Sequence, residues 1–308
     1  MKKNWNRKDM PDQSGKTVLV TGANAGVGYN LMIAFVQKGA RVIMACRNMK
    51  KAESARADVL KLYPNAEIDI VMCDLGNLDS VRRCAETLLE TYSRIDIYMC
   101  NAGIMAPPLS RTENGFEMQM GVNHFGHFAL LGRLMPLIKR SPGGRIVTTS
   151  SFAEKLGTMN IDTTVTENNY NKWICYGDSK LAVIMLAFSL DEKLRKNGID
   201  AVALSAHPGV AKSHLRKTQP QESLSLLDRM IISLYNAMAM PTERGALPLL
   251  YAATDPDARG GQYIGVTGPF EMRGKPKIVK AQKRAYDKTL RERLWEHSEN
   301  RTGVSFGL

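Results

Sequence analysis

The feature that most constrains the fold is a glycine-rich turn between an apolar strand and a helix. A strand is predicted over Thr17–Val20, the turn TGANAGVG runs over Thr21–Gly28, and a helix is predicted over Tyr29–Lys38. Gly39 ends that helix, and a second strand is predicted over Arg41–Ala45. Because strand, turn, helix and strand follow in this order, we expect the chain to form a parallel α/β sheet.

The glycines of this turn also predict an anion site. They let the backbone approach a pyrophosphate closely, and the phosphates then lie at the positive end of the following helix. The spacing of Gly22, Gly26 and Gly28 is G-x-x-x-G-x-G, which differs from the usual G-x-G-x-x-G. The turn, with Asn24 and Val27 between the glycines, is therefore predicted to bind a dinucleotide. A tight turn without a ligand is the alternative.

The end of the second strand bears on which dinucleotide is bound. A site for NAD carries an acidic residue there, about 20 residues along the chain, to bind the ribose 2′-hydroxyl. Here the positions hold Cys46 and Arg47, so no carboxylate repels a 2′-phosphate and a guanidinium can bind one. The sequence favours NADP (NADPH) over NAD, with a surface Arg47 that binds nothing as the alternative.

Further strand and helix patterns continue to the end of the chain. Their period and turn signals predict one doubly wound parallel sheet in a single domain, residues 15–308, after a polar N-terminal arm, residues 1–14. The predicted strands are Ile68–Cys73, Ile95–Cys100, Arg145–Thr149, Asp200–Ala206 and Gln262–Ile264, and the predicted helices are Asp79–Tyr92, Glu117–Leu137, Cys175–Ser189, Thr242–Ala253 and Ile278–Glu296.

Charge and cysteine usage exclude several classes of protein. The chain has 308 residues and a formal net charge of +12, but its Lys and Arg are scattered and form no basic helix with interleaved aromatics, which argues against nucleic-acid binding. The five cysteines show no C-x-x-C spacing and are expected to be buried free thiols in a reducing compartment. The polar start resembles no signal peptide, and no apolar run approaches the ~18 residues of a membrane span. We expect a cytoplasmic protein.

Tyr176 and Lys180 form a candidate acid/base pair on the helix Cys175–Ser189. Lys180 is four positions after Tyr176, so the two side chains lie on one helix face, one turn apart. A phenol has a reference pKa of about 10, and a nearby ammonium favours its phenolate form. Such a pair is suited to moving a hydroxyl proton. The alternative is a solvated Tyr–Lys pair on the surface.

Two further polar positions stand out. Asn123 lies inside the predicted helix Glu117–Leu137, which an Asn disfavours slightly, and Ser151 follows a strand at the edge where α/β sheets carry their sites. His124 and His127 share that helix and are expected to pack or face solvent, since no third ligand suggests a metal.

In order and spacing, these motifs resemble the short-chain dehydrogenase/reductase family from Gly15 to about Gly274. The phrases NAGIMAPP and NHFGHF point, within that family, to the single-domain, retinol-dehydrogenase-like oxidoreductases with a Rossmann-type sheet. The matching residues are Thr21-Gly22-x-x-x-Gly26-x-Gly28, Asp74-Leu75, Asn101-Ala102-Gly103, Pro208-Gly209, and the set Asn123, Ser151, Tyr176 and Lys180.

The resemblance implies a role for each matching residue. Tyr176 would exchange a proton with the substrate oxygen, Lys180 would assist it and hold the nicotinamide ribose, and Ser151 would hydrogen-bond the substrate oxygen. Asn123 would hold a water that relays protons. The implied cofactor-binding residues are Gly22, Asn24, Gly26, Val27, Gly28, Arg47, Asp74, Leu75, Asn101, Ala102, Gly103, Tyr176, Lys180, Pro208, Gly209, Val210 and Ser213.

Two departures from the family pattern occur. Asp178 stands where an Ala is common, and we expect it to face solvent or to pair with Lys180 and weaken its effect on Tyr176. Ser213 replaces a Thr and keeps the hydroxyl for the cofactor's amide or phosphate.

The implied function is an NADP-dependent oxidoreductase that acts on a lipophilic carbonyl or alcohol. A non-catalytic cofactor-binding sensor or scaffold is the first alternative, and an epimerase or dehydratase is the second.

The apolar segment 211–240 is predicted to be a substrate lid, or else to pack against the C-terminal helix. A homodimer is predicted because helices 117–137 and 175–196 carry more apolar positions than one sheet-facing stripe requires, namely Phe125, Phe128, Leu131, Leu134, Ile184 and Phe188.

Overall fold

The computed structural model of the chain describes residues 4–162, 165–211 and 239–308. Eight strands form one sheet in the order β3-β2-β1-β4-β5-β6-β7-β8, and only β8 runs antiparallel to its neighbour. The predicted doubly wound parallel sheet is confirmed. The strands are β1 (Thr17–Thr21), β2 (Arg41–Cys46), β3 (Ile68–Met72), β4 (Ile97–Cys100), β5 (Gly144–Thr149), β6 (Ala201–Ala206), β7 (Tyr263–Val266) and β8 (Pro276–Val279).

Helices cover both faces of this sheet, and alternate residues of each strand face one layer or the other. The helices are α1 (Gly26–Gln37), α2 (Met49–Leu62), α3 (Leu78–Thr91), α4 (Met118–Met120), α5 (Gly126–Arg133), α6 (Met135–Lys139), α7 (Lys172–Lys196), α8 (Thr242–Thr254) and α9 (Lys288–Thr302). On β1, Val18 and Val20 pack in the core beneath α1, α2 and α8, whereas Leu19 packs in the core beneath α3, α5, α7 and α9.

The strand order reverses at β1, and this positions the site. β1 pairs with β2 on one side, in the register Thr17↔Arg41, and with β4 on the other, in the register Val18↔Ile97. The connections after β1 and β4 therefore lead to opposite faces of the sheet. Their carboxyl ends leave a crevice between them, which is where open α/β sheets bind ligands.

The predicted helix Glu117–Leu137 is broken, which corrects the prediction of one continuous helix. A π-helical turn spans Gly121–Phe125 between α4 and α5, and Leu134 leaves helical geometry between α5 and α6. Asn123 lies in the middle of the π turn, a type of irregularity that is frequent at functional sites.

The predicted C-terminal helix Ile278–Glu296 was wrong over its first ten residues. Ile278 belongs to β8 and pairs with Ile264 of β7, so the sheet gains a strand where a helix was predicted. The last helix, α9, starts ten residues later, where the Asp287 side chain accepts a hydrogen bond from the Leu290 N–H and caps it. Pairing with a distant strand outweighed the local helical pattern.

The C-terminal segment also explains why the segments 117–137 and 175–196 carry more apolar residues than contact with the sheet requires. Phe128 of α5 packs against Trp295 of α9 and Phe306 of the tail, with ring centroids 5.2 and 4.8 Å apart. Phe125, Leu131, Leu134, Ile184 and Phe188 are buried as well. The chain itself covers these positions, so they no longer argue for a homodimer.

Two other segments differ from their appearance in the sequence. In the N-terminal arm, Trp5 and Met10 are buried, and Trp5 meets Tyr251 of α8 edge to face with ring centroids 5.6 Å apart. Helix α7 is long and apolar enough to cross a membrane by length and composition, but 78% of its apolar window is buried inside the protein. Its position in the core accounts for its apolar composition.

Candidate active site

Thr21 at the end of β1 fastens the neighbouring turn after β4. Its Oγ1 accepts hydrogen bonds from the backbone N–H groups of Asn101 and Ala102, each at 2.9 Å, and the Asn101 side chain donates back to the Thr21 carbonyl at 2.9 Å. The Nδ1–H of His127 donates to the Asn123 carbonyl, so its Nε2 accepts from the Thr21 hydroxyl at 2.9 Å. Burial lowers the pKa of His127 to about 4, so this histidine is a neutral packing group.

The glycine-rich turn has the shape that a bound dinucleotide needs. Gly22 and Gly26 have φ values of +66° and +60°, which other residues adopt only at a cost. A Cβ on Gly28 would lie 2.3 Å from the Gly22 carbonyl oxygen and 2.5 Å from Asn101 Nδ2. Ala25 precedes α1 without a side-chain cap, so the first N–H groups of α1 are left for another acceptor. Together with Asn24 and Val27, these residues fit a pyrophosphate.

Arg47 and Asp74 lie side by side at the ends of β2 and β3. The Arg47 Nε is 4.0 Å from Asp74 Oδ2, and the Arg47 side chain is 66% exposed. Asp74 is fixed by its own loop, since its Oδ1 accepts from the Gly76 N–H at 3.0 Å. Asp74 and Leu75 therefore occupy the edge of the crevice, next to the largely exposed guanidinium of Arg47.

Lys180 projects from α7 into the buried centre of the site. Its ammonium donates to the Thr149 carbonyl at 2.9 Å and lies 5.7 Å from the centroid of the Tyr176 ring. The prediction that these side chains share one helix face is confirmed. Burial lowers the pKa of Lys180 to about 8.

Asn123 joins two halves of the site. Its Oδ1 accepts from the Ile104 N–H at 2.9 Å, and its Nδ2 donates to the Ile104 carbonyl at 3.0 Å and to Ser179 Oγ at 2.9 Å. The Ser179 hydroxyl donates to the Tyr176 carbonyl at 2.8 Å. The π turn thus ties the loop after β4 to the helix that carries Tyr176 and Lys180.

Gly103 marks where these groups meet. A Cβ there would lie 3.0 Å from Asn123 Oδ1 and 3.3 Å from Lys180 Nζ. The third residue of the Asn101-Ala102-Gly103 turn therefore lines the space in front of Lys180, and any side chain in its place would crowd the ammonium.

Ser151 follows β5 and starts a 3₁₀ helix over Phe152–Leu156. Its Oγ accepts from the Ala153 N–H at 3.2 Å, and its carbonyl accepts from the Tyr263 hydroxyl at 3.4 Å. Its neighbour Ser150 is buried and donates to the Lys180 carbonyl at 2.7 Å. Strand β5 and helix α7 are thereby locked together beside the proposed acid/base pair.

Apolar side chains pack with Tyr176. Tyr176 is itself buried and belongs to a small hydrophobic cluster that is separate from the two large cores. The other members of this cluster are Met105, Ala106 and Ala153, with Trp173 packed against them. An apolar wall therefore adjoins the phenol.

Asp178 does neither of the two things predicted for it. It is partly buried, and its Oδ1 accepts from the N–H groups of Thr158 and Met159 at 2.6 and 2.7 Å. The Asp178 carboxylate fixes the loop after the 3₁₀ helix and does not pair with Lys180. The sequence analysis missed the roles of Ser150 and Ser179, for which their positions directly before Ser151 and Lys180 were the available signal.

The loop after β6 approaches the same edge of the sheet. Gly209 has a φ of +66°, and the Val210 N–H donates to the Met272 carbonyl at 2.6 Å. Pro208, Gly209 and Val210 thus lie beside the end of β5, where Ser150 N–H donates to the Ala206 carbonyl. Ser213 and most of segment 211–240 lie outside the described residues.

The cysteines of the described ranges form no disulfide. Cys46, Cys73, Cys84 and Cys100 are buried free thiols, and Cys175 is partly buried. Within residues 4–162, 165–211 and 239–308, no three His, Cys, Asp or Glu side chains are grouped to hold a metal ion.

Comparisons with known proteins point in one direction. The sequence model of the family described as short chain dehydrogenase matches residues 16–223. Retinol dehydrogenase 14 of Homo sapiens is 35% identical over 306 residues, which cover 94% of this chain and 87% of the relative. Retinol dehydrogenase 13 of Homo sapiens is 33% identical over 291 residues, which cover 94% of this chain and 85% of the relative.

Solved structures agree. A protein from Mycobacterium paratuberculosis superposes with a TM-score of 0.79 at 33% identity, over 99% of this chain and 100% of its own. RhlG of Pseudomonas aeruginosa, solved with NADP in its active site, has the same fold, with a TM-score of 0.65 at 24% identity over 84% of this chain and 98% of its own. Because the family model covers more than half of the chain and relatives above 30% identity cover nearly all of it, the chain belongs to the short-chain dehydrogenase family and is an NAD(P)-dependent oxidoreductase similar to the retinol dehydrogenases.

Proposed function

We propose that the protein is an NADPH-dependent reductase, or the reverse dehydrogenase, for lipophilic carbonyl or alcohol compounds, with Tyr176 as its acid/base. The observation that carries this proposal is the buried Lys180 ammonium, which lies one helix turn from Tyr176 and beside Gly103 of the turn after β4. The oxidoreductase assignment leaves the epimerase and the non-catalytic scaffold without a supporting feature. A cytoplasmic location stays a prediction.

The side chains divide the work of the reaction. When bound, the nicotinamide cofactor supplies or accepts the hydride. In the reductive direction, the Tyr176 hydroxyl gives its proton to the substrate oxygen as the carbonyl becomes an alcohol, and the nearby Lys180 ammonium stabilises the phenolate that remains. We propose that the Ser151 hydroxyl hydrogen-bonds the same oxygen. Asn123 holds α7 and the loop after β4 in register, so these groups keep their positions.

The apolar wall around Tyr176 supports a lipophilic substrate. Met105 and Trp173 give the site a hydrophobic side, and Met side chains adapt to varied apolar shapes. The relatives named above are retinol dehydrogenases, and segment 223–240 has only Asp228 and Arg229 as charges. Each methylene that such a surface covers adds about 0.8 kcal/mol to binding.

A series of aldehydes of rising chain length tests this function. With NADPH consumption followed by absorbance, we expect kcat/KM to rise severalfold for each added methylene until the apolar wall is covered. A matched series with a terminal carboxylate controls for size alone. A flat or falling series would contradict the lipophilic pocket, and no NADPH consumption with any carbonyl would contradict the activity.

Cofactor choice gives a separate prediction for Arg47. We propose that its exposed guanidinium binds the 2′-phosphate, so NADPH should bind at least tenfold tighter than NADH. Arg47→Ala should remove most of that difference, because a hydrogen bond to a charged group contributes roughly 1.5–3 kcal/mol. Affinities are measured by fluorescence titration with both cofactors. Arg83→Ala, an exposed arginine on α3, is the control and should leave the ratio unchanged. Equal wild-type affinities would refute the role of Arg47.

A further inference from the structure

The connection between β7 and β8 holds an unusual backbone segment that the mechanism does not use. We call residues 269–272 the strap. Within it, Phe270 and Glu271 have φ values of +51° and +56°, the left-handed region that residues other than glycine rarely adopt. Two such residues in succession are costly, and strain of this kind persists where surrounding contacts hold it, most often at functional sites.

Glu271 of the strap holds a buried histidine in one tautomer. Its Oε2 is 3.1 Å from His207 Nε2, and the Gly209 N–H donates to His207 Nδ1 at 3.2 Å. Because Nδ1 accepts, Nε2 carries the proton and donates it to the carboxylate. Burial lowers the pKa of His207, which keeps the ring neutral, and the hydrogen bond from His207 lowers the pKa of Glu271.

The strap also touches the loop after β6 directly. The Met272 carbonyl accepts from the Val210 N–H at 2.6 Å, and a Cβ on Gly209 would lie 2.6 Å from the same carbonyl oxygen. A Cβ on Gly265 would lie 2.2 Å from His207 Nε2, so this glycine of β7 makes the room that the imidazole occupies. Contacts with the strap and with His207 therefore determine the conformation of loop 208–210.

A second contact links the strap to the Ser151 side of the site. Lys155 Nζ donates to Glu271 Oε1 at 3.2 Å, and Lys155 lies in the 3₁₀ helix that starts directly after Ser151. The Tyr263 ring stacks near His207, with centroids 5.3 Å apart, and its hydroxyl donates to the Ser151 carbonyl. Glu271 thus sits between the two loops that close the carboxyl ends of β5 and β6.

We propose that Glu271 is a positioning residue that sets loop 208–210 for cofactor binding by holding His207 as its Nε2–H tautomer. The inference rests on the proposed function, in that loop 208–210 forms part of the cofactor site. Without the carboxylate, the imidazole loses the partner that fixes its tautomer, and the Gly209 N–H loses a constant acceptor. The main consequence is a lower affinity for the cofactor, while the acid/base groups around Tyr176 keep their positions.

Two substitutions and one control test this. Glu271→Ala should raise the Kd for NADPH at least tenfold, measured by fluorescence titration, and raise the cofactor KM in proportion while kcat falls less than threefold. Glu271→Gln keeps a carbonyl oxygen for the His207 Nε2–H and should restore affinity to within threefold of wild type. Glu292→Ala removes an exposed carboxylate of α9 and should change nothing.

Nitrogen-15 NMR of the histidines measures the tautomer of His207 directly, and a change in overall stability alone does not alter that tautomer. The His207 signals should show a pure Nε2–H tautomer in the wild type and in Glu271→Gln, and a mixture in Glu271→Ala. An unchanged tautomer or an unchanged NADPH affinity in a folded Glu271→Ala protein would overturn the inference. A wild-type protein that binds neither NADPH nor NADH would refute the proposed function instead.

Discussion

Tyr176→Phe is expected to lower kcat by roughly a hundred- to ten-thousandfold, the range by which a positioned acid/base group accelerates proton transfer. The substitution removes only the hydroxyl. The ring stays among Met105, Ala106 and Ala153, and Lys180 keeps its bond to the Thr149 carbonyl. NADPH affinity should therefore change little, so the loss falls on kcat while the cofactor's Kd stays within about threefold.

The matched control for this result is Tyr92→Phe. Tyr92 ends α3, far along the chain from the site, and its hydroxyl donates to Asp69 Oδ2 at 2.7 Å. Removing that bond should cost about 1 kcal/mol of stability and leave turnover unchanged. If Tyr176→Phe keeps more than a tenth of the wild-type turnover, the proton must come from another group.

The second large effect is expected from Gly28→Ala, which should weaken NADPH binding by a hundredfold or more. The new methyl group would lie 2.3 Å from the Gly22 carbonyl oxygen and 2.5 Å from Asn101 Nδ2. Since one of these contacts is backbone, the turn must shift. That shift separates the first N–H groups of α1 from the position where the phosphates fit.

Stability measurements separate this effect from simple unfolding. Gly143→Ala places a methyl group in open space, at a φ of +66° in the turn before β5, and serves as the control for a glycine replacement that lowers stability away from the site. It should lower the Tm modestly and leave NADPH affinity unchanged. Gly28→Ala should stay folded by circular dichroism and lose its cofactor. Binding within threefold of wild type would contradict the fit of this turn to a pyrophosphate.

Much of the fold was predictable because its signals are local. Each of the first six strands is a short apolar run followed by a turn or a polar residue, and their bounds agree with the structure to within about two residues. The pairing of Tyr176 with Lys180 follows from helix geometry alone. The glycine-rich turn was recognisable because its φ values require glycine.

The features that were missed or wrong depend on contacts between distant residues. Asn123 leaves the regular helix because its side chain is satisfied by the backbone of Ile104, 19 positions earlier in the chain. Ile278 joins a strand because Ile264 offers a sheet edge. Asp178 turns toward the N–H groups of the loop at Thr158, 20 positions away. A periodic pattern carries no information on such partners.

The burial of the Lys180 ammonium, which the proposed reaction uses, lowers the stability of the folded protein. A pKa lowered from 10.5 to about 8 corresponds to about 3 kcal/mol against the charged form. Because the folded-state value lies below the unfolded one, the folded protein bears this full cost below pH 8, and the cost fades as the pH rises toward 10.5. The middle of the core therefore holds a charged residue where an apolar side chain of similar length would give a more stable fold.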